Sequence, residues 1–336
     1  MGSDTKYASV NDIRPDSVVN TEKIQEAINR DCQWVIDRKA LLIPVSCPAC
    51  KGKKSKGTIE KFPVEYEICA NCDTLYQKMR FPEELLGEYY ATSALMEYFG
   101  KYIFPSSERN RREKIYIPRV DRLLEICSRH ETGYGLCVEV GAGSGKFLYE
   151  LGLRKIFERI VAIEPAPSLA ESCRDLGLKT YEMPVERISR MAADVVVSFE
   201  VIEHLFSPEK FLRDMYNLLS DNGMCFLTTP NGKSFEVREL GSLSTTLGFT
   251  HLNLFNPESL SLLASRVGFK VLEVMTPGIL DVDLVKRGYN EKTALQKSAF
   301  ILYLVDEASQ ELKGNFQQFL VDNHLSSHMW IALRKI

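Results

Sequence analysis

Apolar residues recur along the chain with two different periods, and the change between them divides it. In residues 21–39 (TEKIQEAINRDCQWVIDRK), Ile24, Ala27, Ile28, Trp34 and Val35 form a stripe at helical spacing. Residues 44–76 lose that rhythm and hold two Cys pairs, three prolines and a lysine-rich loop. Helical spacing returns over 82–130, interrupted by Gly100 and Pro105, and ends with Leu123, Leu124 and Ile126 ahead of a turn at Gly133–Gly135. From about 136 short apolar runs alternate with helix-like stretches. LCVEV (136–140), RIVAI (159–163), LKTYEM (178–183), DVVVSF (194–199), MCFLTT (224–229) and FKVLEVM (269–275) read as six strands. The β-branched fourth run suits a strand buried on both faces.

Between the strands, FLYEL and residues 167–176 read as helices. Ser207-Pro208-Glu209 and Asn256-Pro257-Glu258 open two more, each with proline at the first helical position, and Gly268 stops the second. Residues 306–324 read as a further helix and HMWIALRK (328–335) as a closing strand. Strands alternating with helices imply right-handed crossovers and a mostly parallel sheet covered on both faces.

A length of 336 residues corresponds to about two domains, and 45% hydrophobic with 26% charged residues is enough apolar surface for a core. The longest apolar run, near Val195–Phe199, is far short of a bilayer span. Residues 1–20 read as a polar, mobile arm without the apolar core of a signal peptide, so the expected compartment is the cytoplasm. The net charge of −3 argues against a dedicated nucleic-acid binder, although residues 41–80 and 101–130 are locally basic. Of nine cysteines, Cys32, Cys127, Cys137, Cys173 and Cys225 stand alone, which fits a reducing compartment better than a disulfide framework.

Gly141, Gly143 and Gly145 lie between a strand and a helix, where free backbone N–H groups can meet a ligand. A dinucleotide fingerprint needs glycine where Lys146 stands. A phosphate loop needs one more residue between the glycines and a hydroxyl where Phe147 stands. The stretch VEVGAGSGKFL instead resembles the first motif of the class I S-adenosylmethionine (SAM)-dependent methyltransferases, with its acidic residue, Glu139, two before the first glycine. Glu164 closes the second strand. FEVIEHLFSPEKFL (199–212) and HLNLFNPESLSLLASRVGFKVLEV (251–274) are similar to the later motifs of the ubiquinone-biosynthesis-like group. The resemblance covers residues 136–275.

That resemblance implies an α/β, Rossmann-like sheet and a set of roles. Glu139 and the backbone of Gly141, Ala142 and Gly143 would face the methionine part of SAM, and Glu164 would hold the ribose. Met183 and Pro184, after the third strand, would lie beside adenine; Phe199 and Glu200, after the fourth, would line the methyl-donor pocket. Tyr89 and Tyr90 would belong to a helical lid. In-line transfer needs alignment, exclusion of water and, for a hydroxyl or carbon acid, a general base. His204 and His251 are the candidates, because they fall inside the matched motifs at strand exits. Glu203 would orient His204; alternatively Glu203 and His204 cap the following helix.

Cys47-Pro-Ala-Cys50 and Cys69-Ala-Asn-Cys72 give C-x2-C-x18-C-x2-C, a zinc-ribbon spacing. Four thiolates close a tetrahedral site, so the expected metal is a structural Zn2+. Lys51, Lys53, Lys54 and Lys56 between the pairs either meet phosphates or form a solvated loop. Arg109, Arg111, Arg112 and Lys114 either hold a diphosphate or form an exposed helix face.

The expected division is an N-terminal arm and helix (1–43), a zinc ribbon (44–80), a helical lid or linker (81–132), the SAM-binding core (133–275) and an extension completing it (276–336). A four-Cys module before such a core is similar to two arrangements, the deoxysugar methyltransferases acting on nucleotide-linked sugars and the rRNA guanine methyltransferases. Deoxysugar C-methyltransferases continue into a second α/β domain, whereas residues 276–336 follow here. PGILDVDLV (277–285) resembles a feature of methyltransferases from surface-polysaccharide gene sets. The expected function is methyl transfer to a small polar acceptor, a nucleotide-linked sugar or a similar biosynthetic intermediate. The alternatives are an RNA methyltransferase gripping RNA through the zinc module, and a non-catalytic SAM-binding or interaction protein.

Overall fold

The apolar stripe at the start of the chain folds as the helix Thr21–Asp37, which buries Ala27, Asp31 and Val35. The computed structural model describes residues 10–13, 15, 19–291 and 298–336; the arm expected over 1–20 lies mostly outside the described residues. Asp31 is a buried carboxylate on the apolar side of its helix, and its partners explain it. It accepts hydrogen bonds from Tyr89 Oη (2.9 Å), Ser93 Oγ (2.7 Å) and the Ala94 amide (2.9 Å), which tie this helix to the helices Glu83–Thr92 and Ala94–Tyr98.

Between these helices lies the cysteine-rich segment. Two short strands, β1 (Ile43–Pro44) and β5 (Met79–Arg80), pair at its base. Strands β2 (Ser55–Lys61), β3 (Val64–Cys69) and β4 (Leu75–Gln77) form an antiparallel sheet. The breaks expected at Gly100 and Pro105 are absorbed differently. The helical path widens into π turns at Phe99–Ile103 and Arg112–Tyr116, and Pro105 occupies the first turn of the segment Phe104–Ser106. The helix Ile117–Arg129 completes this region.

The six expected strands all form: β6 (Leu136–Val140), β7 (Arg159–Ile163), β8 (Lys179–Tyr181), β9 (Ala193–Phe199), β10 (Leu219–Pro230) and, after the two-residue β11 (Asn253–Leu254), β12 (Phe269–Met275). The closing strand β13 (His328–Lys335) inserts between β10 and β12, antiparallel to both. The seven-stranded order is β12-β13-β10-β9-β6-β7-β8, with β8, β7, β6, β9 and β10 parallel. Alternation along β6 sends Val138 and Val140 to one face, against Phe211, Leu212 and Met215 of the helix Pro208–Leu218. Cys137 goes to the other face, with Leu123, Ile126, Phe147 and Leu148.

Two departures matter for the site. Strand β11 leaves the large sheet and pairs with β4, so the cysteine-rich sheet runs β11-β4-β3-β2. The expected third strand is confined to Lys179–Tyr181, and the link to β9 is a 3-10 turn, Val185–Arg187. A cavity of about 560 Å³ opens there, lined in part by Arg159, Lys179, Met183, Arg187 and Arg190. The helix expected over 306–324 is Gln310–Asp322, capped by Ser309 and preceded by a π turn at Tyr303–Glu307. Among the described residues no helix is long and apolar enough to cross a membrane.

Candidate active site

The carboxyl ends of β6, β7 and β9 bring the expected glycine loop and its partners together. Gly141, Gly143 and Gly145 all have positive φ (74°, 54° and 74°), the conformation that favours glycine. A Cβ at Gly141 would lie 2.6 Å from Val201, whereas one at Gly143 would meet nothing within 4 Å. The backbone at Gly143 therefore borders open space beside Glu164. The Glu164 carboxylate accepts from the amides of Gly143 (2.8 Å) and Ala166 (2.9 Å), leaving acceptor capacity on both oxygens. Burial raises its pKa, and the two amides oppose that rise.

Glu139 is 3% exposed, and its Oε2 is buried without a hydrogen-bond partner. Burial pushes its pKa far up, and Arg119 pulls against that shift. An orphaned carboxylate oxygen under a glycine loop suits a ligand that supplies a cationic or N–H group. Met183 lines the cavity at the sheet edge, and Pro184 opens the 3-10 turn beyond it.

Phe199 and Glu200 leave β9 in a sharp turn, with Glu200 at φ 56°. Phe199 packs edge-on against Phe147, with centroids 4.6 Å apart, and its other neighbour is Trp330 of β13 at 6.2 Å. The Arg119 guanidinium lies 4.5 Å from the Phe199 centroid and 3.9 Å from the Glu200 carboxylate. Glu200 also accepts from Thr228 Oγ1 (2.6 Å) and faces His328 Nε2 at 3.5 Å. Burial alone would raise the Glu200 pKa, but His328, Arg119 and Thr228 together hold it below the ordinary value. Sequence reasoning missed Arg119, Thr228, His328 and Trp330. One signal for His328 existed: it is one of only five histidines and opens a strand.

The two expected histidines meet. His204 ends a 3-10 turn, Ile202–His204, and His251 follows in a loop, with ring centroids 4.9 Å apart. His204 Nδ1 lies 2.9 Å from the Thr250 carbonyl, and His251 Nδ1 lies 2.7 Å from the Thr246 carbonyl. A carbonyl can only accept, so both Nδ1 atoms carry protons and both lone pairs are on Nε2. Burial, then the neighbouring His251, lowers the His204 pKa to about 3, so this ring is neutral near pH 7. Glu203 is 1% exposed and accepts from Thr229 Oγ1 (3.1 Å); burial, then Glu200, raises its pKa well above normal. Glu203, His204 and His251 place their ligand-competent atoms within 4.8 Å of one another, a set able to move a proton or to hold a cation.

The lid tyrosines separate. Tyr89 is buried on Asp31, whereas Tyr90 Oη reaches His204 Nδ1 at 3.0 Å. The sulfurs of Cys47, Cys50, Cys69 and Cys72 also cluster within 4.8 Å, with Cys47–Cys72 at 3.5 Å and Cys50–Cys69 at 3.4 Å. Four thiolates about 2.3 Å from one zinc ion would lie roughly 3.8 Å apart, close to these spacings. Of the lysines near them, Lys51 pairs with Glu209 (2.9 Å) and Lys56 with Asp73. In the second basic cluster, Arg109 pairs with Glu113 and Arg112 with Glu150.

Residues 108–274 match the family model described as a methyltransferase domain. Over 94 residues the chain is 31% identical to a probable S-adenosylmethionine-dependent methyltransferase of Mycolicibacterium smegmatis, covering 28% of this chain and 34% of that protein. A protein of the same description in Mycobacterium tuberculosis is 32% identical over 88 residues, 26% of this chain and 30% of that one. The chain thus spans about a third of the length of these curated relatives. A SAM-dependent methyltransferase structure from Archaeoglobus fulgidus is 17% identical, with 67% of this chain and 94% of that chain covered at a TM-score of 0.45. Residues 108–274 thus match a methyltransferase domain, and the sheet they build is Rossmann-like.

Proposed function

We propose that the chain transfers a methyl group from SAM to a small polar acceptor, a nucleotide-linked sugar or a similar biosynthetic intermediate, with a histidine as general base. The observation that carries this reading is the orphaned Glu139 oxygen and open Gly143 backbone on one side, and the paired His204 and His251 on the other. SAM supplies an activated methyl group and a good leaving group. The chain's residues do the rest. Glu164 accepts from the ribose hydroxyls; Glu139 and the Gly141–Gly143 backbone hold the methionine end, and Met183 and Pro184 border adenine. Phe199 and Glu200 wall the donor pocket and exclude water. His251 Nε2 takes the acceptor proton, His204 stays neutral beside it, and Glu203 fixes the turn that carries His204.

The four cysteines hold a structural Zn2+ in this reading. Residues 44–80 form the metal module, 81–132 the lid and 133–275 the SAM-binding core. Pairing of Lys51, Lys56, Arg109 and Arg112 with carboxylates favours the small acceptor over an RNA grip. Calorimetry with S-adenosylhomocysteine tests the reading: the wild-type chain binds it, and a chain that gives no heat with it or with SAM is not a methyltransferase.

A further inference from the structure

The loop carrying His251 is held from outside the methyltransferase domain. Tyr66, on β3, and Gln77 and Arg80, on or beside β4 and β5, are buried to 1% exposure or less. The Tyr66 hydroxyl and the Gln77 side-chain nitrogen face that loop, whereas Gln77 Oε1 is buried without a partner. Tyr66 Oη lies 2.6 Å from the carbonyls of both Gly248 and His251 and accepts from the Gly248 amide at 3.1 Å. Gln77 Nε2 faces the carbonyls of Gly248 (3.0 Å), Phe249 (3.0 Å) and His251 (3.2 Å). The Gln77 amide donates to Leu252 O at 3.0 Å, so backbone and side chain of one residue grip opposite ends of the loop.

The same group of residues reaches the other histidine. Arg80 donates to Phe206 O (3.2 Å) and to Asn253 Oδ1 (3.0 Å). Asn253 Nδ2 then donates to the carbonyls of Ile202 (3.2 Å) and Leu205 (2.8 Å), which flank His204. Gln77 follows the second cysteine pair by five residues, on the strand that pairs with β11. Donors arranged this way set backbone position, because buried carbonyls left without donors move to find others.

We propose that Gln77 and Tyr66 are positioning residues that aim His251 at the acceptor, which makes the four-cysteine module the frame of the acceptor site. The inference rests on His251 facing the acceptor. A module with a merely structural role predicts that changes at Gln77 alter stability and leave the His251 ring as it was.

The test uses the full chain labelled at histidine, whose five rings give a readable NMR spectrum. Gln77→Met keeps the side-chain length and removes its donors; Tyr66→Phe removes only the hydroxyl. Expected in each is a shift of the His251 ring signals and a changed protonation midpoint, while His130 and His324 stay at wild-type positions. S-adenosylhomocysteine affinity, measured alongside by calorimetry, stays within about twofold of wild type, since neither residue touches the glycine loop. Wild-type His251 signals in the folded variants overturn the proposal. Should Gln77→Met fail to fold, Tyr66→Phe decides by the same signals. Absent binding by the wild-type chain removes the methyl-transfer reading, and the ring signals still report whether the module sets the loop.

Discussion

His204 and His251 face each other at 4.9 Å, yet each gives its Nδ1 proton to a different carbonyl, Thr250 for the first and Thr246 for the second. Both therefore present the same nitrogen, Nε2, from neighbouring positions. One ring is anchored by the helix Glu83–Thr92 as well, because Tyr90 reaches the Nδ1 side of His204. Ring orientation at this point combines three segments distant in sequence.

That geometry separates the two histidines by experiment. His251→Ala removes the proposed base, and transfer is expected to fall by roughly 10²–10⁴-fold with S-adenosylhomocysteine affinity unchanged. Single-turnover kinetics with saturating SAM reads this directly. Wild-type turnover in the variant excludes His251 as the base.

Glu164 gives a second expectation. Its carboxylate already accepts two backbone amides, and ribose hydroxyls would add two further hydrogen bonds to an ionised group. Hydrogen bonds to charged groups contribute about 1.5–3 kcal/mol each, so losing both in Glu164→Ala should weaken S-adenosylhomocysteine binding by roughly 10²–10⁴-fold. An unchanged calorimetric affinity removes the ribose role.

What the sequence reveals and what it hides follow from how local each feature is. The glycine loop was legible because strand, turn and helix are consecutive and the turn residues have no side chain to misread. The cysteine quartet was legible from spacing. Arg119 was not, since on a helix that also carries Arg122 and Arg129 it reads as one more solvent-facing cation. It is enclosed by Phe199 and by Trp330, which arrives from the other end of the chain. Insertion of β13 between β10 and β12 brings Trp330 and His328 to the site, and strand order is not encoded in local periodicity. Tyr89 and Tyr90 are adjacent in sequence, but successive helical residues point about 100° apart, so one meets Asp31 and the other His204.

The cysteine cluster makes a prediction about stability. Residues 44–80 contribute short strands whose buried side chains, Val64, Tyr66, Leu75 and Tyr76, pack in clusters shared with the rest of the chain, so cross-linking by a metal should add to their folding energy. Cys69→Ser should release bound zinc, measured by elemental analysis, and lower the melting temperature. Loss of the module should also be felt at the loop Gly248–Asn253, because Tyr66, Gln77 and Arg80 hold it. A wild-type chain that carries no zinc refutes the metal site, and a zinc-free variant with wild-type melting refutes its structural role.

The last expectation is the pH dependence of stability, where opposing shifts must be separated. His204 has its pKa lowered to about 3 in the folded chain, against an ordinary value near 6.5. Below pH 6.5 the unfolded chain binds a proton that the folded chain does not, so acidification favours unfolding until pH approaches about 3. Glu139 and Glu203 act in the other direction: their raised pKa values stabilise the folded chain at low pH, and that contribution is lost as pH rises above the unfolded carboxylate value. Wild-type stability alone would mix these effects. The difference between wild type and His204→Gln reports His204 together with its effect on the adjacent His251, because both carboxylates are common to the two chains. That difference should be flat above pH 7 and then move against the wild type by up to about 1.4 kcal/mol per pH unit on descending from 6.5. Urea unfolding at pH 8, 6.5, 5.5 and 5 measures it. A difference constant across that range would mean that His204 titrates as it does in water and is not held neutral in the site.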